Sequence, residues 1–204
     1  SSERRRREIV AGSVVLVADS GAQVTSAAKA FTQLEDGNIT KVNPSSGVLG
    51  SRVTITGTNL LAGGIELATV ELDSVEAKIT AQSDTEIEII AQNAAKGDPA
   101  SVVITADTGA TITLTEGWTY LEPGNVTSLT PAEGQVGTVV VIEGTSLFAG
   151  GSSIENVTLN GIEVTSISDT QSAQKIEVVV AAGDKTQGTT DIVMISDIGT
   201  KITG

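Results

Sequence analysis

The sequence predicts an all-β protein: two tandem sandwiches, preceded by a strand segment that resembles the last strands of a third. Three observations predict it. Val, Ile, Leu and Ala supply most of a 39% hydrophobic content, with 22 Gly and only four aromatic residues. That β-branched, glycine-punctuated mixture belongs to proteins of many short strands. Apolar and polar residues alternate in "RVTITG", "ATVEL", "EIEIIA", "SVVITA" and "ATITL", the period of half-buried strands, while no window holds a sustained apolar helical period. Finally, the chain repeats itself.

The repeat sets the domain boundaries. "NITKVNPSSGVLGSRVTITGTNLLAGG" from Asn38 aligns without a gap with "NVTSLTPAEGQVGTVVVIEGTSLFAGG" from Asn125, 87 residues on. "VVITADTGATIT" (Val102–Thr113) matches "IVMISDIGTKIT" (Ile192–Thr203), now 90 residues apart. These spacings divide the chain into an N-terminal segment 1–37, a first unit 38–124 and a second unit 125–204. "DTG" and "DIG" at Asp107–Gly109 and Asp197–Gly199 place Gly where a hairpin turn needs positive φ. A unit of this length with short strands throughout fits an immunoglobulin-like sandwich without the cysteine pair.

Both openings carry a shared pattern: Pro44, Gly47, Gly50, Gly57 and Leu60, then Pro131, Gly134, Gly137, Gly144 and Leu147. In this, "ITKVNPSSGVLGSRVTITGTNL" resembles the opening of IPT/TIG domains, the immunoglobulin-like folds of plexins, Rel-type transcription factors and many bacterial surface proteins. The resemblance runs from Asn38 to the C-terminus. It implies the fold and says little about function.

The first 37 residues are odd in a different way. "SVVLVADSGAQ" (Ser13–Gln23) matches "SVVITADTGAT" (Ser101–Thr111), and "AFTQLEDG" (Ala30–Gly37) matches "GWTYLEPG" (Gly117–Gly124), with Phe31 where Trp118 stands. The segment therefore reads as closing strands whose unit has no beginning. The second unit ends at Gly204, with no counterpart of Trp118 or Tyr120. Two readings follow. Either the chain is a slice of a longer array, or the segment around Ala30, Phe31, Thr32 and Leu34 is a donor strand that completes the second unit of another copy. Burying Phe31 and Leu34 in such a groove is worth about 1.5–3 kcal/mol each. Donor and acceptor at opposite ends make an open polymer. A donor replacing only the final strand leaves Ile9–Ala18 to find another place along a neighbour.

Other motifs have bland readings beside sharp ones. Arg4, Arg5, Arg6 and Arg7 read as a protease processing site, as a basic arm docking on an acidic neighbour, or as a solvated charged terminus. Asn38, Asn125 and Asn156 head N-glycosylation sequons; the repeat alone accounts for the first two. Asp73, Glu76, Asp84, Glu86 and Glu88 form no calcium-loop pattern and fall largely on outward strand faces. Trp118 and Tyr120 point the same way from a closing strand, which fits a core plug better than a sugar-stacking platform.

Composition excludes several functions. Formal net charge is −13, and beyond Arg4–Arg7 the chain from Glu8 holds 8 basic against 24 acidic residues. Such a body repels phosphate backbones, so nucleic acid is not an expected partner. Without Cys or His there is no thiol nucleophile, imidazole base or ordinary zinc site. Neither enzyme activity nor a cofactor is expected. No apolar run is long enough for a membrane span. The expectation is an extracellular, cell-surface filament subunit whose main partner is itself. The alternative is a fragment of a tandem-repeat adhesin or polysaccharide-binding array, with glycans as partners.

Overall fold

The computed structural model describes residues 11–183 and 191–204; Arg4–Arg7 lie outside them. Four short strands come first: β1 (Ala11–Gly12), β2 (Val15–Val17), β3 (Gln23–Thr25) and β4 (Phe31–Thr32). They pair among themselves, β1 with β4 and β2 with β3, as one antiparallel ribbon.

The first unit comprises β5 (Asn38–Asn43), β6 (Ser46–Gly47), β7 (Arg52–Thr58), β8 (Leu67–Leu72), β9 (Val75–Glu76), β10 (Lys78–Gln82), β11 (Glu86–Ile90), β12 (Ala100–Ala106) and β13 (Thr111–Tyr120). One sheet runs β10-β11-β7-β5, the other β6-β13-β12-β8-β9. Alternation decides what each strand buries. Val53 and Ile55 of β7, Ile87 and Ile89 of β11, Val70 and Leu72 of β8, and Val102 and Ile104 of β12 all meet in one core. Intervening residues such as Thr54, Glu88 and Val103 face away from it.

The second unit repeats the plan with β14 (Asn125–Thr130), β15 (Val139–Thr145), β16 (Ile154–Leu159), β17 (Ile162–Glu163), β18 (Ser166–Ile167), β19 (Lys175–Val179), β20 (Ile192–Ser196) and β21 (Lys201–Thr203). Its sheets run β14-β15-β19-β18 and β17-β16-β20-β21, over a core that includes Ile142, Leu147, Val157, Ile176 and Met194. The two predicted hairpin turns form as read. Gly109 and Gly199 take φ +84° and +83°, a region that Gly alone enters without strain. The turn carboxylates brace the preceding loop at both sites. Ile65 N–H donates to Asp107 Oδ1 at 3.2 Å and Ser152 N–H to Asp197 Oδ1 at 3.0 Å.

One feature separates the units. β13 is long because it serves twice. Its first half pairs with β12; a bulge follows, with Glu116 at φ +54°. Beyond the bulge Trp118 comes opposite Ala100, and Thr119 and Tyr120 run parallel to Ser46 and Gly47 of β6. β21 supplies only the first half, and among the described residues no strand lies beside Glu133–Gly134.

Candidate functional site

The ribbon is a third copy of the hairpin that closes each unit. Val15, Leu16 and Val17 face Thr25, Val24 and Gln23. The corresponding pairs are Val103–Thr113, Ile104–Ile112 and Thr105–Thr111 in the first unit, and Val193–Thr203, Met194–Ile202 and Ile195–Lys201 in the second. Gly21 takes φ +82° at the ribbon's turn, and Lys29 takes φ +65° where Glu116 makes the bulge. Beyond it Gly12 pairs with Phe31, as Ala100 pairs with Trp118. Local sequence alone thus rebuilds the whole hairpin, register included.

What differs is cover. Val102, Ile104, Ile112 and Trp118 are at most 6% exposed, whereas their ribbon counterparts Val14, Leu16, Val24 and Phe31 stand 44–68% exposed. The ribbon presents the core face of a sandwich to solvent. Ala30, Thr32 and Leu34 are exposed as well, and Leu34 leans on Gly63.

In the first unit the matching position is sealed. Trp118 and Tyr120 are fully buried and meet edge to face, ring centroids 5.6 Å apart at 82°, a favoured aromatic geometry. Neither Trp118 Nε1 nor Tyr120 Oη has a hydrogen-bond partner. Burial pushes the Tyr120 hydroxyl from 10.0 up to about 12, and the Asp73 carboxylate adds to the shift. The folded state therefore holds its proton where the unfolded chain has lost it. Stability from this group is complete below pH 10 and declines as pH rises from about 10 to about 12. Tyr120 is the only tyrosine, so phenolate absorbance reads it alone. We expect its titration midpoint near pH 12 in the folded chain; a midpoint at 10 shows an open seal.

The units are joined by a built interface. Val48, from the loop between β6 and β7, is 6% exposed and packs within the core of the second unit. Arg52 N–H donates to Ile198 O at 2.8 Å, and the Arg52 side chain lies against Gly199. Leu121 and the Gly47 backbone crowd Gly150. Val48→Asp puts an unpaired charge into that joint, at a cost of at least about 2 kcal/mol. Calorimetry is expected to show the second unit melting earlier and separately from the first; a single unshifted transition contradicts the joint.

A family model described as "IPT/TIG domain" matches residues 38–120 and again 125–203. The chain belongs to the IPT/TIG family. No curated protein matches it. Among solved structures, one of the plexin A4 full extracellular region (domains 1 to 10) is similar with TM-score 0.60 at 20% identity, covering 84% of this chain and 15% of that one. A second plexin A4 structure, domains 1 to 8, gives TM-score 0.55 at 20% identity, covering 84% of this chain and 18% of that one. SGBP-B from a complex xyloglucan utilization locus in Bacteroides uniformis is matched at TM-score 0.35 and 18% identity, over 83% of this chain and 49% of that one. The chain spans less than a fifth of the plexin chains it resembles; the likeness is one of fold.

Other sequence candidates scatter over the IPT/TIG units. Asn38 and Asn125 open β5 and β14 and are exposed, whereas Asn156 lies within β16 and donates its side-chain amide to Glu163 Oε1 at 2.7 Å. Asp84 accepts from Leu61 N–H, and Asp73 sits in the β8–β9 turn at φ +51°. Among the described residues no cluster of acidic side chains could hold a metal, and no helix is long and apolar enough to cross a membrane. Sequence reasoning missed the joint. Val48 had no local mark beyond being apolar in a loop.

Proposed function

We propose that this chain is a non-catalytic structural element of an extracellular stack of IPT/TIG units, held end to end by a joint that recurs along the stack. The observation that carries the reading is the repeated seating of one unit's last strand on the next unit. Leu121 lies on Gly150 between the two units, and Leu34 lies on Gly63 between ribbon and first unit. Gly37 sits under Ile112 and Asn59 just as Gly124 sits under Ile202 and Ser146. The ribbon thus precedes the first unit in the way the first precedes the second.

Two sources can complete such a stack. In a pilus-like filament, copies join head to tail by strand complementation. Phe31 takes the place of Trp118 in a neighbour's second unit, and the strand runs beside Glu133–Gly134 as β13 runs beside β6. The open edge at Glu133–Gly134 favours this. In a tandem surface array the neighbours are further units of one polypeptide. That reading is favoured by the ribbon carrying both closing strands, of which the second unit already holds its own as β20 and the first half of the last strand as β21. Glycan binding by ring stacking finds little support, since Trp118 and Tyr120 are buried and Phe31 is the one exposed aromatic among the described residues. Immunogold electron microscopy of source cells tests the common reading. Label along surface structures is expected; label confined to the cytoplasm overturns it.

A further inference from the structure

Apart from the Leu121–Gly150 contact, which Leu34 and Gly63 repeat, the internal joint has uncovered counterparts on both sides of this chain. On the acceptor side, Thr200 is fully buried, and Ile198 and Gly199 are half-buried. Their equivalents in the first unit, Thr108, Gly109 and Ala110, are exposed. Ala149, in the buried cluster that holds Val48, is 2% exposed, while its equivalent Ala62 is part-exposed and the next residue, Gly63, stays exposed although Leu34 lies against it. Beside them lies a cleft of about 410 Å³ walled by Leu34, Leu61, Gly63, Asn59 and Asp84. On the donor side, Gly47, Val48 and Ser51 are buried, while Gly134 and Gln135 are exposed and Thr138 is half-exposed. Val136 and Val139 stand 62% and 54% exposed.

We infer that the Gln135–Val139 loop of one copy docks on the Leu61–Gly63 and Thr108–Ala110 face of the next, reproducing between molecules the joint that links the two units within one. The inference rests on the filament reading and supplies its second contact. If Phe31 occupies a neighbour's seam as Trp118 occupies its own, then Leu34 and the first unit must follow as Leu121 and the second unit do. That places the neighbour's Gln135 at the Leu61–Gly63 face, as Val48 sits in the cluster against which Phe148 packs. Val139 N–H then meets Thr108 O as Arg52 N–H meets Ile198 O. At the position of Val48 this loop has a polar Gln135, and its apolar contact comes from Val136 and Val139 instead. Donor and acceptor faces differ, so the contact is heterologous and propagates. Because every joint between copies is alike, one rotation and rise per copy describe the whole filament. The copies are acidic, so screening by salt strengthens an apolar contact of this kind.

The chain has no cysteine, which makes crosslinking a clean test on the full-length protein. Leu61→Cys and Gln135→Cys are prepared singly and together, with Val48→Cys plus Phe148→Cys as the internal reference. Mixing the two single variants under mild oxidation is expected to give one disulfide-linked dimer between positions 61 and 135, and the double variant a ladder of linked oligomers. Val136→Asp with Val139→Asp, both on exposed positions, is expected to weaken association at least tenfold with unchanged circular dichroism. Oligomers that depend on Phe31 but never link 61 to 135 overturn the joint and leave strand complementation standing. A chain that stays monomeric in high salt overturns both.

Discussion

Replacing Trp118 by alanine is expected to lower the stability of the first unit by about 3–5 kcal/mol, the usual cost of removing a fully buried large aromatic. The ring is 0% exposed and closes the end of the core where β13 passes from β12 to β6. Its loss also removes the edge contact with Tyr120. Without it the strand beyond the bulge keeps its bonds from Thr119 N–H to Ser45 O and from Leu121 N–H to Gly47 O but loses its largest buried anchor, so the joint loosens too. Denaturant titration followed by circular dichroism should show the first unit's transition moving to lower denaturant. Trp118→Phe, which keeps an aromatic ring of smaller size but removes an indole N–H that has no partner, should recover most of the loss. A Trp118→Ala chain as stable as the parent contradicts the sealing role. A fall confined to the second unit contradicts it equally.

Phe31→Ser should do the opposite. The residue is 63% exposed and supports no core of its own, so the melting of both units is expected to stay put. Association between copies is expected to weaken by roughly ten- to a hundredfold, the equivalent of the 1.5–3 kcal/mol that burial of a Phe contributes. Sedimentation velocity across a concentration series reads this directly. Oligomers of the parent chain should grow with salt, because each copy carries a net charge of −13 and exposed like charges repel until screened. Growth that is indifferent to Phe31→Ser removes the donor strand from the filament. A parent chain that shows no growth removes the filament and leaves the tandem array.

These two substitutions affect equivalent positions of the repeat with contrary expected results, and the contrast shows where sequence reading stops. The hairpin built on "SVVLVADSGAQ" has the same register as those built on "SVVITADTGAT" and "IVMISDIGTKIT". Turn chemistry and strand alternation act between near neighbours, so they are written in each copy. Phe31 and Trp118 could be matched from the sequence for the same reason. Their exposures could not. Whether an apolar strand face is covered depends on residues far along the chain, and the ribbon has none of the other strands of a sandwich around it among the described residues.

Val48 and Gln135 make the same point at the joint. Both sit in a short loop after a shared Pro-x-x-Gly, and neither is marked by its immediate surroundings. One is buried in the next unit's core, the other exposed. By itself, the sequence determined the all-β class, the repeat of 87 residues, the hairpins and the face each strand offers, because these follow from periodicity and local backbone preference. Only the tertiary structure decided which of those faces are closed. Closing them is a matter of which distant surface arrives to exclude water, and a one-dimensional pattern does not encode adjacency between surfaces.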